Sequence, residues 1–95
     1  MFIHTDEALL KLIGNRIREV RKENNLSLRD VAFKIGMETS NLSVIENGRS
    51  NPQILTYARI ASALNVDLST IFKIEFDFNS FGEQAPSYQA RKHRK

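Results

Sequence analysis

Few residues in this 95-residue chain are equipped for covalent chemistry. It has no cysteine, so neither a disulfide framework nor a thiolate metal site is available. Its two histidines, His4 and His93, stand at opposite ends and make a histidine-based metal cluster an unsuitable reading. No nucleophile has a neighbouring base, and no glycine-rich loop is arranged to cradle a phosphate. What does stand out is a run of amide and hydroxyl side chains at 39–43: Thr39, Ser40, Asn41 and Ser43. A second polar group follows, Asn47, Arg49 and Asn51. Such groups donate and accept hydrogen bonds without breaking bonds. The chemistry on offer is recognition, so no enzyme, cofactor or metal is expected.

The elements that must position this run lie between Leu28 and Gly48. Val31, Ala32 and Ile35 fall on one face at helical spacing. Gly36 follows as a breaker, since a helix end accepts a left-handed glycine at little cost. Met37 is apolar and suited to turn inward at the corner. Leu42 and Ile45, three apart, give a second apolar face that stops at Asn47-Gly48. Small Ala32 suits two helices that cross closely. This geometry leaves Thr39, Ser40, Asn41 and Ser43 on the outer face.

Here the chain resembles the Cro/repressor-type (XRE-like) helix-turn-helix DNA-binding proteins of bacteria and their phages. The residues that carry the resemblance are Ala32, Gly36, the apolar Val31, Ile35, Met37, Leu42 and Ile45, and the run IENGRSNP at 45–52. The likeness extends from about Ile13 to Phe72. It implies an all-α fold, a five-helix lambda-repressor-like DNA-binding domain over 1–72. It further implies that Thr39, Ser40, Asn41, Ser43 and Val44 face base edges in the major groove. Asn suits adenine, Ser and Thr suit several bases, and Val suits a thymine methyl. No Arg or Gln lies in that set, so strong guanine forks are missing and DNA shape is expected to assist. Asn47, Arg49 and Asn51 would follow the phosphate backbone, joined by Ser27 and Arg29 at the start of the preceding helix. An arginine at position 21 pairs with the ENG glutamate in the resembled family. Arg21 and Glu46 are therefore read as a structural ion pair that pins the first helix to the recognition helix.

The chain also departs from the family pattern. Leu28 stands where glutamine is usual, which removes an amide that commonly touches phosphate. Phe33 occupies a position that is usually polar, and a cover from elsewhere in the chain is expected. Glu38 stands in the N-cap region of the recognition helix, where Ser or Thr is commoner.

Before this core, Thr5-Asp6 can cap a helix whose stripe is Leu10, Ile13, Ile17 and Val20, ending at Asn24-Asn25. Arg16, Arg18, Lys22 and Glu23 lie mostly off that stripe. Ser27 is a good N-cap for the second helix, with Asp30 three residues later as an imperfect capping box. After the loop, Pro52 is expected to open a fourth helix with Ile54, Tyr57, Ala58, Ala61 and Leu64 inward, ended by Asn65. Asp67 then caps a last short helix that turns Leu68, Ile71 and Phe72 inward.

Residues 73–95 lie outside the resemblance and form a C-terminal extension. Ile74, Phe76 and Phe78 alternate with Glu75, Asp77 and Asn79, the period of a half-buried strand. Residues 73–79 are thus expected as a short strand. It would pair with a second subunit, which places Ile71, Ile74, Phe76 and Phe78 at a dimer contact, or with Phe2-Ile3-His4 of the same chain; a helix or a disordered tail is the alternative to a strand. Residues 83–95 read as a flexible basic tail. Net charge is +3, with nine basic against eight acidic residues over 1–72 and five against three beyond. A nearly neutral domain can still bind DNA when its charges are segregated. No apolar run approaches the roughly 18 residues of a membrane span, and no secretory signal is visible at the N-terminus, so a cytoplasmic protein is expected.

Two function classes follow. One is a dimeric, sequence-specific transcriptional regulator, most often a repressor, whose partner is double-stranded DNA. The other is an antitoxin or adaptor whose extension binds a partner protein, with DNA binding secondary.

Overall fold

A computed structural model describes residues 5–79 and 81. Phe2-Ile3-His4 and the basic tail at 83–95 lie outside the described residues. Five helices follow in order: α1 (Asp6–Glu23), α2 (Leu28–Lys34), α3 (Thr39–Glu46), α4 (Ile54–Ala63) and α5 (Leu68–Ile71). The fold is all-α.

Helix starts follow from side chains that satisfy orphan N–H groups. Thr5 Oγ1 accepts from the Ala8 N–H at 3.1 Å, with Asp6 and Glu7 favourably placed in the first turn of α1. At α2 the capping box closes both ways. Ser27 Oγ accepts from the Asp30 N–H, and Asp30 Oδ2 accepts from the Ser27 N–H, each at 2.9 Å. That backbone bond holds the Asp30 carboxyl below its ordinary range. Glu38 and Asp67 sit at the N-caps of α3 and α5 but make no side-chain cap bond.

Helix ends share one device. Asn25, Gly36, Gly48 and Asn65 all adopt left-handed φ, between 57° and 71°. The N–H of the next residue then bonds back five positions. Leu26 reaches Arg21 O, Met37 reaches Ala32 O, Arg49 reaches Val44 O and Val66 reaches Ala61 O, at 2.9–3.2 Å. This satisfies carbonyls that helix termini leave open and turns the chain sharply each time. Four such turns thereby stack the five helices around one core.

That core comprises Ile13, Ile17 and Val20 of α1, Val31 and Ala32 of α2, and Leu42 and Ile45 of α3, closed by Tyr57, Ile60, Ala61, Leu64 and Ile71. The Tyr57 ring meets Phe72 edge-on at 5.3 Å between centroids, and burial pushes the Tyr57 hydroxyl pKa up. Arg16 Nε donates to Thr70 O at 2.9 Å and ties α1 to α5.

The structure corrects several expectations. α4 begins at Ile54 with Gln53 as N-cap, two residues after Pro52. Ile54 is 54% exposed, because the first turn of α4 overhangs the core; the inward stripe is Tyr57, Ile60, Ala61 and Leu64. Leu10 is only half-buried, so the α1 stripe proper starts at Ile13. Phe33 is 86% exposed, with no cover among the described residues. Within the single chain residues 73–79 form no strand: 73–77 carry no regular structure and 78–79 turn, because a strand needs a ladder partner and no other strand is present among the described residues. Instead Asp77 Oδ1 accepts from the Asn79 N–H, turning the chain. Phe76, Phe78 and Phe81 then gather edge-on at 4.7–6.0 Å. Ile71 lies wholly inside the core and is not on a surface that a second copy could reach.

Candidate nucleic-acid interface

α3 presents its polar face outward because Leu42 and Ile45 hold the other face in the core. Thr39, Ser40, Asn41 and Val44 are all exposed, and Ser43 is partly exposed. The five residues expected at base edges therefore share one accessible helical surface. Neither a basic residue in the last turn nor an acidic one in the first lies on α3 itself.

Two glycines set how close α1 comes to this helix. A Cβ on Gly14 would stand 2.5 Å from Glu46 O and 2.8 Å from Glu46 C, so only glycine permits this crossing. A Cβ on Gly48 would stand 2.6 Å from Lys11 Cα and N. The end of α3 and the loop after it thus rest on the backbone of α1.

At that crossing lies the most buried charge of the described residues. Glu46 is 3% exposed. Arg21 Nε donates to Glu46 Oε2 at 2.7 Å, and Arg21 Nη2 donates to Oε1 at 3.0 Å. Arg21 Nη1 also donates to Leu26 O at 3.0 Å. The hydrogen bond to Glu46 raises the Arg21 pKa against the opposing effect of burial. Arg18 completes the cluster: its Nε donates to Glu46 Oε1 at 3.3 Å and its Nη2 to Asn47 Oδ1 at 2.8 Å. Asn47 Nδ2 in turn donates to Ser43 O at 2.9 Å and approaches Ser43 Oγ at 3.4 Å. No buried side-chain polar atom among the described residues is left unpaired.

The remaining site residues are spread around this network. Arg49 and Asn51 are exposed in the loop after α3, as are Ser27 and Arg29 at the start of α2. Asn47 is exposed as well, and its amide is engaged within the protein on both ends, with Arg18 through Oδ1 and with Ser43 through Nδ2, so it also braces the end of α3. Sequence reasoning missed Arg18 and Gly14. An off-stripe arginine and an interior helix glycine carry no signal until the crossing helix is known.

The arrangement holds no nucleophile–base pair. Groups of acidic and histidine side chains able to hold a metal are absent among the described residues, and no helix there is long and apolar enough to cross a membrane.

A family model described as Helix-turn-helix (HTH_3) matches residues 17–71, which contain α2 through α5 and the Arg18–Arg21–Glu46 cluster. The chain is similar to the ImmF control region 10 kDa protein of Bacillus phage phi105, at 41% identity over 61 residues, 64% of this chain and 68% of that protein. It is 39% identical over 61 residues to the HTH-type transcriptional regulator SinR of Bacillus subtilis (strain 168), covering 63% of this chain but only 55% of SinR. Among solved structures, the restriction-modification controller protein C.AhdI from Aeromonas hydrophila matches with a TM-score of 0.67 and 31% identity, over 68% of this chain and 98% of that one.

Proposed function

The chain belongs to the HTH_3 helix-turn-helix family, and from that premise we propose that it is a sequence-specific DNA-binding transcriptional regulator, a dimeric repressor that reads the major groove with α3. The observation that carries this reading is the outer face of α3, where Thr39, Ser40, Asn41, Ser43 and Val44 remain accessible while Leu42 and Ile45 anchor the helix. Asn41 offers a paired amide for adenine, and Val44 an apolar surface for a thymine methyl. Arg49, Asn51, Ser27 and Arg29 flank that face and supply donors for phosphate oxygens, which fix register without reading sequence. Double-stranded DNA is the partner, no cofactor takes part, and the protein works in the cytoplasm. The relatives are control and regulator proteins, which favours this reading over the antitoxin or adaptor.

Residues 1–72 serve as the DNA-binding domain and 73–95 as an extension that joins two copies. One domain covers about one half-site, so two copies spaced by one DNA turn gain affinity and specificity together. Ile74 packs partly against the core while Phe78 is 58% exposed. The extension thus leaves the domain with an apolar surface suited to a second copy.

Asn41→Ala is expected to cost about 1–3 kcal/mol on the preferred site and to relax one base position. Arg49→Ala should weaken all sequences alike and flatten the salt slope. A folded Asn41→Ala protein with unchanged affinity and base preference, measured by fluorescence anisotropy, would overturn the groove assignment.

A further inference from the structure

The Glu46 cluster contains two guanidinium groups and one carboxylate, so one positive charge is left over. Arg21 is not its bearer. Its side chain is only 11% exposed, and its Nε, Nη1 and Nη2 each hold a partner inside the protein, Glu46 or Leu26 O. Arg18 is three times as exposed, at 33%, and holds Glu46 by the longer bond, 3.3 Å. The surplus charge therefore sits at the surface beside Asn47. That is also the C-terminus of α3, whose carbonyls carry a partial negative charge that would repel a phosphate. α3 has no basic residue in its own last turn to offset this. Arg18 supplies the cation from a different helix.

Arg18 also acts through a chain of side chains. Its Nη2 fixes Asn47 Oδ1, which orients the Asn47 amide so that Nδ2 points at Ser43 O and Oγ. Ser43 is one of the groove-facing residues. A hydroxyl that accepts from Asn47 has its own proton directed elsewhere, and its rotamer is no longer free. Ser43 O, a carbonyl that can only accept, sets the same amide orientation from the other side, so Arg18 and Ser43 O together hold the Asn47 side chain in one rotamer.

We infer that Arg18 is a positioning residue for DNA recognition: it locks the Asn47–Ser43 pair at the end of α3 and presents the leftover positive charge of the Glu46 cluster to a backbone phosphate. The inference rests on the DNA-binding reading above. It assigns to α1 a part of the interface outside the helix-turn-helix itself.

Two variants separate the two roles. Arg18→Ala removes the charge and the lock, while Glu46 keeps its bonds to Arg21. Arg18→Lys restores the charge, but an ammonium lacks the planar fork that spans Glu46 and Asn47 together. The probes are a selected operator duplex and a duplex of scrambled sequence, titrated across salt concentrations. Arg18→Ala is expected to shallow the salt slope by about 0.9, the value of one phosphate contact, on both duplexes. Arg18→Lys should recover that slope and still lose part of the discrimination between them. Without DNA, the Asn47 side-chain amide resonances should move toward random-coil positions in both variants, while a Gln variant at Arg29 leaves them in place. An unchanged slope and unchanged discrimination in Arg18→Ala, with the unaltered chain still choosing its operator, would overturn the inference and leave the proposed function standing. Failure of the unaltered chain to prefer any duplex would overturn the DNA-binding reading itself.

Discussion

Replacing Arg21 by alanine should unfold this domain at a markedly lower temperature. The variant loses two charge-assisted hydrogen bonds to Glu46, at 2.7 and 3.0 Å, and one to Leu26 O at 3.0 Å. Bonds to charged groups contribute about 1.5–3 kcal/mol each, and breaking a buried pair costs about 3–5 kcal/mol because the survivor is stranded. Glu46 is not wholly stranded here, since Arg18 Nε remains 3.3 Å from Oε1. The loss therefore belongs near the lower bound, about 3 kcal/mol. For a domain of this size that is a fall of roughly 12–24 °C in Tm. Glu46→Ala should cost at least as much, since it leaves two guanidinium groups facing each other. Arg18→Ala should cost under about 1 kcal/mol, since that partner is one-third exposed and screened by solvent. Arg21→Met combined with Glu46→Leu should recover much of the single-variant loss, because an apolar pair has no charge to strand. Urea and thermal denaturation monitored by circular dichroism give all four values. A Tm shift under about 4 °C for Arg21→Ala would show that the pair contributes less than roughly 1 kcal/mol and would refute its role as the α1–α3 pin.

Three further expectations follow from the packing, the caps and the extension. Gly14→Ala gains about 1 kcal/mol of helix propensity but places a Cβ 2.5 Å from the Glu46 carbonyl oxygen, so a net destabilisation of about 1–3 kcal/mol is expected; equal or higher stability would disprove the close crossing. The folded-state pKa of Asp30 is lowered by its bond from Ser27, so the cap's contribution is present above the ordinary carboxylate value and is lost as pH falls through the lowered one; the difference in stability between Asp30→Asn and the unaltered chain should shrink below about pH 4, and a difference constant from pH 7 to 2.5 would contradict it. Truncation after Phe72 keeps every buried core residue, losing only the partly buried Ile74 from the residues packed against them, and should yield a monomer in sedimentation equilibrium at concentrations where the full chain is dimeric; equal dimerisation would move the interface onto the helices.

Much of the fold is legible in local signals. The Ser27–Asp30 capping box, the left-handed asparagines and glycines, and the 3–4 spacing of Ile13, Ile17 and Val20 each act within one turn of chain. These mark five helices with ends within a residue or two. The missed features are those whose partner lies far away in sequence. Arg18 meets Glu46 across 28 positions, and Gly14 has meaning only where α3 crosses it. Pro52 misled because proline is tolerated both in a first helical turn and just ahead of it. The alternation of Ile74, Phe76 and Phe78 fits a strand but does not require one. Without an adjacent edge, the same aromatic side chains fold onto each other around the Asp77 turn. The groove-facing set was readable as a helix face; its chemistry toward particular bases depends on a DNA sequence that the chain does not encode.

The most direct test of the central claim is selection of binding sites from random duplex DNA with the full-length purified chain. Enrichment of a twofold-related pair of half-sites is expected, with centres about 10–10.5 base pairs apart, in which the position lost on Asn41→Ala carries adenine. Recovery of random sequence after repeated rounds, with affinity set by salt alone, would contradict it.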